Sequence, residues 1–159
     1  MSYFSELDKL VENLYEVERV IRAMEKQPHT YGSEELLYSE EAHTLKLIAK
    51  NEGIIQKELS EIMYRTKGAT SVIINKLEKK GLIIKASGNK DQRKNSLYLT
   101  EKGKRVNEYH IKYDDERLPD WYYNLNVTEE EMRVANSVIE KSINLSKDIL
   151  NGKYKDNSY

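Results

Sequence analysis

Apolar residues recur at helical intervals along most of this chain. Between residues 4 and 24, Phe4, Leu7, Leu10, Val11, Leu14, Val17, Val20, Ile21 and Met24 share one side of a long amphipathic helix. Gln27-Pro28 ends that run, because proline disfavours helical backbone in the residue before it. Residues 28–38 read as a connection. Ser39 is a candidate N-cap, followed by Glu40 and Glu41 where the helix dipole favours acids. That helix is expected to bury Leu45, Ile48 and Ala49 and to stop at Asn51-Glu52-Gly53.

Residues 54–81 show the helical interval twice. Leu59, Ile62 and Met63 form one apolar face, and Thr70, Ile73, Ile74 and Leu77 form another. Tyr64-Arg65-Thr66 lies between them as a short turn, and the Thr66 hydroxyl can cap the second helix. Past Gly81 the pattern changes. Leu82-Ile83-Ile84-Lys85 and residues 95–99 read as strands, joined by a turn at Ser87-Gly88-Asn89-Lys90. Helix, short turn, helix and a two-stranded hairpin make a winged helix-turn-helix. Thr100 is expected to cap a further helix carrying Val106, Tyr109 and Tyr113, which weakens near Leu118-Pro119. Residues 119–127 read as irregular. Thr128-Glu129-Glu130-Glu131 is a capping box that opens a last helix running to about residue 150.

The fold class is therefore mostly α with a small two-stranded β-wing and about six helices. The expected organisation is 1–38 for an N-terminal dimerisation helix and connection, and 39–105 for the winged helix-turn-helix. Residues 106–150 supply C-terminal dimerisation helices, and 151–159 form a polar tail.

Composition narrows the function. With 38% hydrophobic and 33% charged residues in 159, the chain supports one modest core. It has no apolar run long enough for a membrane span. Its opening, MSYFSELDKL, lacks the basic-then-apolar build of a signal sequence, so a cytoplasmic location is expected. No cysteine is present, which excludes disulfides and thiol switches. The net charge of −1 hides a sharp division. From Arg65 to Arg105 there are twelve Lys/Arg against three Asp/Glu, while the remainder holds fourteen against twenty-four. A basic face on an acidic body suits a nucleic-acid partner.

Three stretches carry a family resemblance: QKELSEIM at 56–63, NKLEKKGLI at 75–83 and DQRKNSLYLTEKG at 91–103. In order and spacing they resemble the helix-turn-helix and wing of the MarR (multiple-antibiotic-resistance regulator) family. The resemblance covers about 40 to 105; over the terminal helices only the layout is similar. It implies a homodimeric regulator that binds double-stranded DNA.

A recognition helix meets base edges with its N-terminal half. Lys67, Gly68, Ala69, Ser71 and Val72 occupy those turns, with Lys76 and Lys80 further along near phosphates. The family often places an arginine at the position of Val72. Small residues here imply modest direct readout, thymine-methyl contacts and a larger role for DNA shape. In the wing, Arg93 resembles the family's minor-groove arginine, since narrow grooves concentrate negative potential. Asp91 would orient it, while Lys90 and Lys94 would meet the backbone. Gln56, Lys57, Arg65 and Thr66 are further candidates for the DNA backbone.

The terminal apolar stripes are expected to interlock with a second copy. The resemblance implies a small aromatic ligand as a candidate effector, and the chain has twelve tyrosines and Trp121 that could line a pocket for it. Tyr15, Tyr38, Tyr109, Tyr113, Trp121, Tyr122 and Tyr123 stand as candidate pocket walls, with interface packing as the equal alternative. No cofactor is expected. His29, His43 and His110 lack a local metal-binding spacing, and no catalytic motif is present, so no enzyme is expected. The rival reading is a winged-helix protein-interaction module with no specific DNA site.

Overall fold

The computed structural model describes residues 3–31, 33–87 and 95–153. Six helices and one strand pair follow in the order α1 (Tyr3–Met24), α2 (Ser39–Lys50), α3 (Gln56–Ile62), α4 (Lys67–Lys79), β1 (Ile83–Ser87), β2 (Asn95–Leu99), α5 (Glu101–Leu125) and α6 (Glu129–Leu150). This is a winged helix-turn-helix flanked by long helices. The chain divides into two compact units, Met1–Asp114 and Asp115–Tyr159. No helix of the described residues is long and apolar enough to cross a membrane.

In the first unit the core lies where α2, α3, α4 and the strands meet. Leu37, Leu45, Ile48, Leu59, Ile74, Leu77, Leu82, Ile83 and Leu97 are each at most 1% exposed. β1 and β2 pair antiparallel, with Ile83 opposite Leu99 and Lys85 opposite Leu97. The alternating pattern of a half-buried strand puts Leu97 and Leu99 inside and Tyr98 outside. Gly53 N–H bonds to Leu97 C=O at 3.0 Å, and Leu97 N–H to Ile54 C=O at 2.9 Å. The segment before α3 thus extends the small sheet. Gly53 adopts φ +84°, and its missing side chain leaves room for the Tyr98 hydroxyl.

Several sequence expectations are corrected. Ser39 is not the N-cap of α2. Its hydroxyl donates to Glu25 Oε1 at 3.1 Å, and Glu41 closes the helix start by accepting from Tyr38 N–H at 2.9 Å. Ile62 is 44% exposed, because α3 is only two turns long and turns inward through Leu59 and Ser60. On α5 the buried residues after Val106 are Asn107 and His110, while Tyr109 points out. Gly103 sets this rotation: a Cβ there would lie 1.9 Å from the Leu82 carbonyl oxygen, so α5 rests its backbone on that residue. The residues that follow at helical intervals then face the core.

The break expected near Leu118-Pro119 does not occur. α5 continues through Pro119 to Leu125, and residues 119–125 are helical rather than irregular. Pro119 withdraws a single donor, the one that would reach the Asp115 carbonyl. The stop comes instead at Asn126, whose φ of +50° is the left-handed conformation that ends helices. In the second unit α6 starts at the expected capping box. Glu131 N–H donates to Thr128 Oγ1 at 3.2 Å, and Thr128 N–H donates to Glu131 Oε2 at 2.8 Å. The Thr128 N–H bond, and then the Thr128 hydroxyl donating to Glu131 Oε2 at 2.7 Å, hold the Glu131 carboxyl below its ordinary value.

Candidate nucleic-acid interface

The helix-turn-helix is built from small local devices. Ser60 Oγ donates to Gln56 C=O at 2.7 Å, and Arg65 N–H returns to Ser60 C=O at 3.0 Å, closing the turn. Tyr64 takes the sharp corner at φ +51°. Thr66 Oγ1 accepts from Ala69 N–H at 3.2 Å and caps α4 as expected. Gln56 Nε2 reaches across to Lys67 C=O at 2.9 Å, fixing the start of α3 against the start of α4.

α4 buries Thr70, Ile73, Ile74 and Leu77, so its opposite side is presented outward. Lys67, Gly68, Val72 and Lys76 are exposed there, and Ala69 and Ser71 are half-buried. The first turn holds no acid. Gly68 has open space around it. The surface is thus smooth, cationic at its edges and free of bulky side chains, which lets a backbone come close.

The hairpin is tied to this helix. Lys85 Nζ on β1 donates to Asn75 Oδ1 at 3.0 Å and to Glu78 Oε2 at 2.7 Å, both on α4. At the other end of the hairpin, Thr100 Oγ1 donates to Gly81 C=O at 2.7 Å and accepts from Gly103 N–H at 3.0 Å. Wing base, recognition helix and the start of α5 are therefore one hydrogen-bonded corner. The tip lies outside the described residues, and with it Lys90, Asp91, Arg93 and Lys94.

The basic segment is partly neutralised from within. Lys80, expected beside Lys76 at phosphates, turns inward to Glu41 Oε2 and Leu36 C=O, at 2.7 and 2.8 Å. Lys102 pairs with Glu35 and donates to Lys80 C=O at 2.9 Å. Arg65 pairs with Glu40, and Lys104 with Glu101 at 2.8 Å. Of the other backbone candidates, Lys57 lies 3.8 Å from Glu61, and the Gln56 amide and Thr66 hydroxyl have the local bonds given above. For Lys80, Lys102 and Arg65 the acids come from the connection and the first turn of α2, elements whose sequence distance from the basic run hid the pairing.

A second cluster was missed by sequence reasoning. Tyr31 stacks at a tilt on His110, ring centroids 4.6 Å apart, and meets Tyr113 edge-on at 5.5 Å. His43 approaches His110 edge-on at 5.7 Å. His110 is 1% exposed; its Nδ1 lies 3.3 Å from Asp114 Oδ2, and neither ring nitrogen makes a hydrogen bond among the described residues. Burial pushes its imidazole below the ordinary value, with His43 and Lys46 adding to the depression and Asp114 opposing it. Only the tertiary fold brings residues 31, 43 and 110 together, so no spacing rule finds them. Among the described residues no group of three or more His, Asp or Glu is placed to hold a metal. Of the candidate pocket walls, Tyr113 joins this cluster. Tyr38 lies against α4, and Tyr15, Tyr109, Trp121 and Tyr123 are each at least half exposed. The Tyr122 side chain lies outside the description.

Comparison with known proteins agrees with this architecture. The MarR family model matches residues 37–94. No curated protein sequence matches the chain. Among solved structures, FabT of Streptococcus pneumoniae in complex with DNA superposes with a TM-score of 0.69 at 21% identity, over 92% of this chain and 99% of that one. A MarR transcriptional regulator from Methanosarcina mazei Go1 gives 0.65 at 24% identity, over 90% and 98%. MepR of S. aureus, also in a DNA complex, gives 0.60 at 19%, over 91% and 98%. The family match at residues 37–94 lies across the corner formed by α3, α4 and the wing strands, and these solved structures share that winged helix-turn-helix fold.

Proposed function

We propose that this chain is a double-stranded DNA-binding transcriptional regulator, a repressor that binds a pseudo-palindromic operator as a homodimer. The observation that carries the reading is α4: its inner stripe is locked into the core while its outer side offers Lys67, Gly68, Val72 and Lys76 without an acid in the first turn. In this reading Lys67, Gly68, Ala69, Ser71 and Val72 approach the base edges, Lys76 meets phosphate, and Gln56, Lys57, Arg65 and Thr66 flank the backbone. Lys90, Asp91, Arg93 and Lys94 form the wing contact, Arg93 entering the minor groove. Two of the superposed relatives, FabT and MepR, are DNA complexes, which supports the same partner. The matched family is one of transcription regulators rather than enzymes.

The homodimer is supported by two unpartnered stripes. On α1, Leu7, Val11, Leu14, Val17 and Ile21 are 39–54% exposed, and on α6 Val138, Ile139 and Ile143 are 37–46% exposed. A second copy would cover them and set two recognition helices about one helical turn of DNA apart. Residues 1–38 and 106–150 are assigned to that interface, 39–105 to DNA, and 151–159 to a polar tail. A small aromatic effector would act by favouring one separation of the two helices over another. The setting is cytoplasmic.

Selection from random duplexes tests the function. An enriched inverted repeat is the expected result. If no sequence is enriched, the rival reading of a winged-helix interaction module takes its place.

A further inference from the structure

We propose that Tyr38 is a positioning residue for the contact between Lys76 and DNA, an inference that rests on the DNA-binding reading above. Lys76 lies one turn beyond Val72 on the outward side of α4. Its ammonium lies over the Tyr38 ring, 5.6 Å from the centroid. That distance is within the range at which an aromatic quadrupole attracts a cation.

The choice of partner is what matters. Among the described cations of this region, Arg65, Lys80, Lys85, Lys102 and Lys104 are each paired with an acid. An acid holds a lysine in place by cancelling its charge. A ring holds it and leaves the charge whole. Lys76 has the ring, and no ion-pair partner among the described residues. It is therefore restrained and still available to a phosphate, which reduces the side-chain entropy lost on contact.

Tyr38 is itself held firmly enough to serve. Its N–H donates to Glu41 Oε2 at 2.9 Å, and its carbonyl accepts from Ala42 N–H at 3.1 Å. The residue before it, Leu37, is fully buried and bonded in both directions to His29, at 2.8 and 2.9 Å. Tyr38 remains 41% exposed.

The test uses a duplex enriched by the wild-type chain, with affinity measured over a salt series. Lys76→Gln is expected to reduce the salt dependence by about one ion. Tyr38→Leu is expected to weaken binding about two- to fivefold, the range of an exposed cation–π contact. Tyr38→Phe keeps the ring and is expected to match wild type. In the Lys76→Gln background, Tyr38→Leu is expected to add nothing. Thermal unfolding of each variant is followed in parallel, with Tyr38→Met replacing Tyr38→Leu if the latter fails to fold. Unchanged binding by Tyr38→Leu overturns the inference. So does an equal loss in Tyr38→Phe, or a loss that persists without Lys76. If the wild-type chain enriches no duplex at all, the function itself is overturned, and this inference with it.

Discussion

Lys80 Nζ lies 2.7 Å from Glu41 Oε2, a carboxylate 4% exposed at the first turn of α2. The same carboxylate accepts from Tyr38 N–H, and the same ammonium donates to Leu36 C=O. Two charges that the sequence assigns to opposite parts of the molecule are thus one structural bolt. It fixes the end of the recognition helix against the connection from α1. Removing the cation strands a buried acid. Lys80→Met is expected to cost about 2–4 kcal/mol in urea unfolding. Adding Glu41→Gln, which keeps an acceptor for Tyr38 N–H, is expected to restore most of that, since it removes the stranded charge.

Gly103 and Gly68 predict opposite outcomes for one substitution. Gly103→Ala drives a methyl group into the Leu82 backbone, which no rotamer relieves. A loss of more than about 2 kcal/mol in denaturant unfolding is expected. Gly68→Ala meets open space inside a helix. There the folded chain is expected to gain about 0.5–1 kcal/mol.

His110 gives the fold an acid sensitivity. Burial holds its folded value below the ordinary imidazole value. As pH falls through the unfolded value, the unfolded chain takes up a proton that the buried ring resists. Stability is therefore full above about pH 7 and declines through the window below 6.5, levelling off once the folded ring protonates. His110→Gln is expected to flatten that step in unfolding curves measured from pH 7.5 to 5.

The terminal stripes predict an assembly. Leu14→Glu on α1, or Ile143→Glu on α6, places a charge in the proposed interface. Light scattering at micromolar concentration is expected to read a dimer for wild type and a monomer for either variant. Monomeric wild type would remove the two-fold reading of the operator.

The wing carries the remaining prediction. Arg93→Ala is expected to weaken operator binding by about 1–3 kcal/mol and to relax preference at the flanking base pairs. Lys67→Ala, at the exposed start of α4, is expected to weaken binding by about 1–3 kcal/mol and to relax preference at the base pair it faces. Equal affinities for wild type and Arg93→Ala at moderate salt would exclude the wing from the contact.

Local signals were legible wherever the cause was local. The caps at Thr66, Thr100 and Thr128, the glycine stop at Gly81 and the alternation of residues 95–99 depend on neighbours within four residues. So the sequence alone determined the element order, the winged helix-turn-helix and the concentration of cations between 65 and 105. What it left open depended on residues far apart in the chain. The rotation of α5 hangs on Gly103 touching Leu82, and the loss of Ser39 as the cap of α2 on its hydroxyl turning to Glu25. Pro119 misled because a lost donor is a local fact, whereas helix continuation depends on the residues beyond it. Above all, a count of charges says nothing of where their partners stand. Only the folded chain turned Lys80 inward to an acid and left Lys76 on a ring, because Coulomb and quadrupole attractions act over a few ångströms of space rather than along the sequence.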